Sequence, residues 1–290
     1  MKKATTVEEQ LEKLKSRGLK IDCTDKKAIE IISDIGYYRL GFYLFPFEKD
    51  YPNLKNRTHE YKEDACFDDV IKLYYFDTDL RNTLLYYINR IEINFRTKMI
   101  YFCSNYYKND STWYVNEDYV RKDIVDKITT EYNTKFRKFN VIKNHHKNHP
   151  DDDFAPAWKT IEFVTFGNVF SLYSSLKDEG LKRQICNVYG VRYTTVFENY
   201  MTLIIALRNI CAHSNMLYDY KLPKSIKNGP ALTINVANEN KLYSTINVVQ
   251  YILSSISSNR ATDLMKDVDD LFDECKEFDK VYAIINSIVK

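Results

Sequence analysis

The sequence predicts an all-α fold, and three observations carry that prediction. Glycine and proline are scarce, 7 and 6 among 290 residues, so turn punctuation is thin. Long segments repeat apolar residues at the helical period of ~3.6, above all residues 67–107. Neither an internal repeat nor a flexible linker interrupts them.

Composition bounds the rest. Hydrophobic residues make up 44% and charged residues 28%, the balance of a chain that folds around a core. Net charge is +2, so the whole-molecule field selects no partner and a polyanion site has to come from local clustering. The six cysteines (23, 66, 103, 186, 211 and 275) contain no C-x-x-C pair and read as reduced thiols. "MKKATTVEEQLEKLKSRG" lacks the apolar stretch of a signal peptide. No apolar run approaches the ~18 residues of a membrane helix, and a cytoplasmic, membrane-free protein is expected. The 24 tyrosines fit AT-rich coding, with base stacking as the other reading.

The elements follow in order. Residues 6–17 open with a capping box, Thr6 as cap and Glu9 three residues on. A second short helix covers 25–35. The aromatic stretch "IGYYRLGFYLFPF" then docks these helices, and a polar loop runs to about residue 64. The longest helix follows, with Asp77–Arg81 and Glu92–Arg96 as i,i+4 pairs. Asn89, Glu92 and Arg96 form a polar stripe beside Leu84, Ile88, Ile91 and Phe95. That stripe reads as a solvated edge, or, at Glu92, as the partner of a buried arginine.

Residues 117–143 read as one helix passing into a loop, "KNHHKNHPDDD". Between Glu131 and Asp151 there is no acidic residue, while Lys135, Arg137, Lys138, Lys143 and Lys147 interleave with Phe136 and Phe139. Phosphate contacts and base stacking need such a mixture, although a solvated helix end has it too. His145 and His149 have metal-ligand spacing but fall in the expected loop, so no metal is expected. A further helix starts near Pro156 with Trp158 and Glu162 on one face, and another covers 194–213. A short hairpin is expected over 231–247, then helices near 244–257 and 261–275.

The helix at 194–213 carries two apolar stripes: Val196, Tyr200, Leu203, Leu207 and Ile210, then Phe197, Met201, Ile204 and Ile205. A helix apolar over most of its circumference is central. It ends in "RNICAH", which sets Arg208 near the core and Asn209 and His213 at i,i+4. The bare R-x4-H spacing also fits a histidine at the negative helix end with Arg208 paired to a buried carboxylate.

"RNICAHSNMLYD" resembles the R-N-x-x-A-H-x-x-x-L-[WY] segment of the Abi-like family, proteins of phage abortive infection in bacteria. "TVEEQLEKLKSRGL", "IGYYRLGFYLFPF", the long helix and "AWKTIEFVTFGNVFSLY" resemble its other segments in order, over about residues 5–255. That family is similar to the HEPN ribonucleases, helical domains that dimerise and cut RNA without metal through R-x4-6-H. The resemblance implies a HEPN-like bundle over 65–290 with an N-terminal helical extension over 1–64. It also implies an endoribonuclease toxin with Arg208, Asn209 and His213 as catalytic residues, supported by Glu92, Arg96 and Glu162. Serine at 214 departs from the second histidine or other polar residue expected in relatives.

Metal-free RNA cleavage needs a base for the 2′-hydroxyl, an acid for the leaving 5′-oxygen and a cation for the phosphorane. Histidine, with an ordinary pKa of ~6.5, serves as either base or acid. The fork of arginine suits the phosphorane. The other histidines (59, 145, 146 and 149) fall in expected loops, so the pair is made most simply by two copies of His213 across a two-fold axis. Five residues of helix turn about 500°, which sets Arg208 and His213 about 140° apart unless the helix bends or ends between them. The expected partners are RNA as substrate, a second copy of the chain, and a small noncoding RNA restraining the toxin on the 135–147 segment. The rival reading is a non-catalytic RNA-binding or interaction module. A helical partner of a nucleotidyltransferase comes last, because the chain lacks G-S-x-S-R.

Overall fold

Thr6 caps the first helix as its spacing predicts. The Thr6 hydroxyl accepts from the Glu9 N–H at 3.2 Å, and the Glu9 carboxylate accepts from the Thr6 N–H at 2.9 Å. Two donors at the helix start are thereby satisfied. The structure, a computed structural model, describes residues 3–55, 57–232 and 241–289. Helix α1 spans Val7–Ser16, α2 Asp25–Ile35 and α3 Tyr37–Leu44. After a loop, α4 runs from Phe67 to Tyr106, the longest element, as its periodicity predicts. The fold is all-α, with no β-strand among the described residues.

Two expected helices are broken. The segment 117–143 forms α5 (Lys122–Thr134), a 3₁₀ turn at Phe136–Lys138, and α6 (Asn140–Asn148). The break at Lys135 turns Phe136 inward, where it is buried against Tyr132 and Phe139. The start of the expected loop, "KNHHKN", is helical as the second part of α6, because Ile142 and His145 bury one face of that helix. His145 and His146 therefore stand on a helix.

The segment after Pro156 gives only α7 (Ala157–Thr160) and a 3₁₀ turn at Ile161–Phe163 before α8 begins (Phe166–Ser175). Val164 is extended and buried, and its carbonyl accepts from Arg96 at 3.0 Å instead of continuing a helix. Trp158 and Glu162 are both exposed and share no continuous helix face.

Helix α9 (Glu179–Asn187) is not anticipated by the sequence reading; α10 (Thr194–Ala212) is. Of the hairpin expected over 231–247, residues 233–240 lie outside the described residues. From Leu242 the chain is helical, in α11 (Leu242–Ser254). Helices α12 (Ser258–Glu274) and α13 (Asp279–Ile288) follow, the last also unanticipated. All six cysteines are free.

The chain forms two compact units. The first takes residues 1–83, 210–220 and 266–290, and the second takes 84–209 and 221–265. The core of the first includes Leu14, Ile32, Leu40, Leu73, Phe76, Leu80 and Ile285, with Phe76 meeting Phe272 edge-on at 5.2 Å. In the second, Phe95 of α4 is fully buried with Phe166, Phe170, Tyr173, Tyr189 and Phe197 around it at 5.9–6.4 Å. Truncating such a ring to alanine costs about 3–5 kcal/mol. Phe197, Tyr200, Met201, Leu203, Ile204 and Leu207 of α10 are fully buried too, as its two apolar stripes require.

Candidate functional site

Helix α10 ends at Ala212, one residue before His213. The Ser214 N–H donates to the Cys211 carbonyl at 3.2 Å and the Asn215 N–H to the Ile210 carbonyl at 3.0 Å. This is the Schellman termination, with His213 as cap and Ser214 at the left-handed position, φ +53. Glycine is the usual occupant there, and a residue with a Cβ pays about 1–2 kcal/mol. His213, Ser214 and Asn215 are exposed, so the imidazole stands in solvent on a fixed backbone.

A buried network in the first unit holds that backbone. Asp77 accepts from the Leu217 N–H at 3.0 Å, from the Tyr218 N–H and from the Tyr43 hydroxyl at 2.7 Å. Its ion pair is with Arg81, one turn on. Arg81 also donates to the Asn215 carbonyl at 3.2 Å and to the Thr78 hydroxyl at 2.9 Å. Arg39 donates to the Ser214 carbonyl at 2.6 Å. Burial pushes the Asp77 carboxyl above its ordinary value, opposed by Arg81, Tyr43 and the two N–H groups. Burial also pushes the Cys211 thiol up to about 12, which removes it as a nucleophile.

The second unit holds another cluster. Glu92 meets Arg96 at 3.0 Å and Arg208 at 3.2 Å. Glu92 therefore partners a second arginine, the half-buried Arg208, and the Glu92–Arg96 edge is mostly buried rather than solvated. One carboxylate between two guanidiniums leaves a surplus positive charge. The Nε–H groups of Arg96 and Arg208 are buried without a hydrogen-bond partner. Glu92 Oε2 is buried without a hydrogen-bond partner as well, so the cluster holds one unmet acceptor beside two unmet donors. Asn209 is exposed beside Arg208, its side-chain oxygen 3.4 Å from the guanidinium.

The basic segment keeps its exposed cations but not its free rings, since Phe136 is buried and Phe139 stacks on Phe163 at 4.4 Å. Lys135, Arg137, Lys138, Lys143 and Lys147 are all exposed. Arg137 is the most constrained, donating to the Asp153 carbonyl at 2.9 Å and lying over the Tyr132 ring. His145 is buried nearby, Nδ1 at 3.4 Å from the Lys159 ammonium and Nε2 at 3.0 Å from Asp152. Burial, with Lys159 adding to it, lowers the His145 pKa from its ordinary value. Among the described residues no three His, Cys, Asp or Glu groups are placed to hold a metal ion.

The structure thus brings Arg208, Asn209, Glu92 and Arg96 together in the second unit and carries His213 in the first. Glu162 is exposed on its 3₁₀ turn, outside the hydrogen bonds of this cluster. Sequence reasoning missed Arg39, Tyr43, Asp77 and Arg81 as the supports of the His213 turn. Their signals were the "YYRLGFY" stretch and an i,i+4 pair, each of which has a simpler explanation on its own.

A family model described as Abi-like protein matches residues 30–219, which take in α2 from Glu30, α3, α4, α10 and the His213 turn. Comparison with curated proteins and with solved structures found no match. No helix among the described residues is long and apolar enough to cross a membrane.

Proposed function

Because this chain belongs to the Abi-like protein family, we propose that it is an abortive-infection endoribonuclease of the HEPN type, cutting RNA by attack of its own 2′-hydroxyl. The observation that carries this reading is the polar end of α10. A helix otherwise buried finishes in a half-buried guanidinium held by Glu92 and in an exposed amide and imidazole, three polar groups gathered at one helix end. In this reading Arg208 meets the scissile phosphate, helped by the surplus charge it shares with Arg96 on Glu92. His213 moves the proton, and Asn209 orients phosphate or imidazole. A second copy of the chain supplies the second His213, one acting as base and the other as acid. The exposed cations of 135–147 bind RNA, either the substrate or a small noncoding RNA that restrains the enzyme.

The test expresses wild type and His213→Ala from a tightly controlled promoter and follows growth and total RNA. Growth arrest and RNA ends bearing 2′,3′-cyclic phosphate are expected for the wild type alone. Equal toxicity of both would remove His213 as the catalyst. It would favour a non-catalytic RNA-binding module, a reading that the Arg208–Glu92 ion pair also allows.

A further inference from the structure

Helix α3 is short, and two depressions of the first unit lie on it. One, of about 600 Å³, is lined by Gly36, Tyr38, Arg39, Phe42 and the Ser214–Met216 turn that follows His213. The other, of about 240 Å³, is lined by Arg17, Tyr38, Gly41, Phe42, Arg57 and His59. Tyr38 and Phe42 border both, so the two depressions flank one exposed aromatic edge, and the larger side of this groove surface reaches the residue after His213.

Three features of this groove point to one kind of occupant. Tyr38 is 84% exposed and Phe42 43%, the two rings meeting edge-on at 5.5 Å. Two such rings left in solvent offer π-faces to a planar ligand. The walls carry Arg17, Arg39 and Arg57 against one carboxylate, Glu48, which Arg57 occupies at 2.6 Å and 2.8 Å. Arg17 and Arg39 are left as surplus positive charge. Gly41 stands in the middle of α3, where alanine would hold the helix better, yet a Cβ there would meet nothing within 4 Å. The space above it is open to a ligand.

We propose that this groove binds single-stranded RNA, with one base stacked on Tyr38 and backbone phosphates met by Arg39 and Arg17. Aromatic faces interleaved with cations are what unpaired nucleotides require, whereas a duplex keeps its bases stacked inside. The inference deepens the ribonuclease reading and rests on it for function: the bound strand would be the one that runs on from the phosphate served by His213.

The test measures binding without cleavage. In a His213→Ala parent, fluorescence anisotropy of a labelled single-stranded RNA gives Kd for Tyr38→Ala, Tyr38→Phe and Gly41→Leu. Tyr38→Ala should raise Kd about tenfold, the weight of one base stack. Tyr38→Phe should leave it near the parent value. Gly41→Leu, which fills the open space, should raise it as well, and the parent should prefer the single strand to a duplex of the same sequence. Parent-like binding by both Tyr38→Ala and Gly41→Leu overturns the proposal, as does a parent that binds no RNA. So does Tyr38→Ala splitting a dimer into monomers with RNA affinity unchanged, which would assign the face to a second copy. Residual cutting by the His213→Ala parent would defeat the ribonuclease reading and leave the binding comparison intact.

Discussion

Two acid–arginine pairs sit on α4 with the same i,i+4 spacing, and they end in opposite states. Asp77–Arg81 is closed: the carboxylate accepts from Arg81, Tyr43 and two backbone N–H groups, and Arg81 reaches a backbone carbonyl and a hydroxyl. Glu92–Arg96 is open: its carboxylate serves a second guanidinium, and two Nε–H donors have no partner. One spacing rule predicts both pairs, so the rule says nothing of the difference. The difference is the number of donors around each carboxylate. Saturation makes a lock for the backbone, whereas the open pair leaves two buried donors and one buried acceptor unmet.

The largest effect expected from breaking that contrast is at the lock. Asp77→Ala leaves Arg81 buried without its partner and frees two backbone N–H groups, at a cost of about 3–5 kcal/mol. Denaturant unfolding reads it directly, and a loss under 1 kcal/mol would mean that the network is not a lock. At the open cluster, Glu92→Gln removes one hydrogen-bonded charge and costs about 1–3 kcal/mol. If the ribonuclease reading holds, that substitution also slows RNA cutting by about tenfold to a hundredfold by letting Arg208 wander. Unchanged cutting with Arg208 unanchored would detach the cluster from function.

Ser214→Gly relieves the left-handed strain at the α10 cap and should stabilise the protein by about 1 kcal/mol, readable as a raised Tm. The smallest effect is a pH slope. His145, facing Lys159, Asp152, His146 and His149, has a pKa below its ordinary value of 6.5, so the folded state binds fewer protons than the unfolded one. Stability therefore falls as pH drops from about 7.5 to about 5.5, and His145→Asn should flatten that slope in melting curves. An identical slope in the variant would show that other groups set it.

The sequence made legible what local rules govern. The Thr6–Glu9 box, the length of α4, the burial of α10 and the Glu92–Arg96 pair all follow from period, cap and charge within a few turns. What it hid depends on distant neighbours. Val164 is extended, and its carbonyl accepts from Arg96, 68 residues earlier. The polar second half of α6 looks like a loop in sequence because its buried face includes His145, a residue that polarity alone sends outward. Tyr43 and Asp77 are 34 residues apart, and nothing in either segment names the other. The site was legible as a motif; the turn that presents His213 was not.

The order in which the first unit is written along the chain has a consequence for biogenesis. Its three pieces are separated by long stretches of the second unit, and its last piece begins only at residue 266. Phe272 against Phe76, and Lys280 against Asp69, are contacts over about 200 residues of nascent chain. Chains lengthen at about 5–20 residues per second, so the unit that carries His213 stays unfinished for many seconds after α4 has emerged. A ribosome-bound fragment can complete none of that unit's closing contacts, and its assembly waits for synthesis to pass α12.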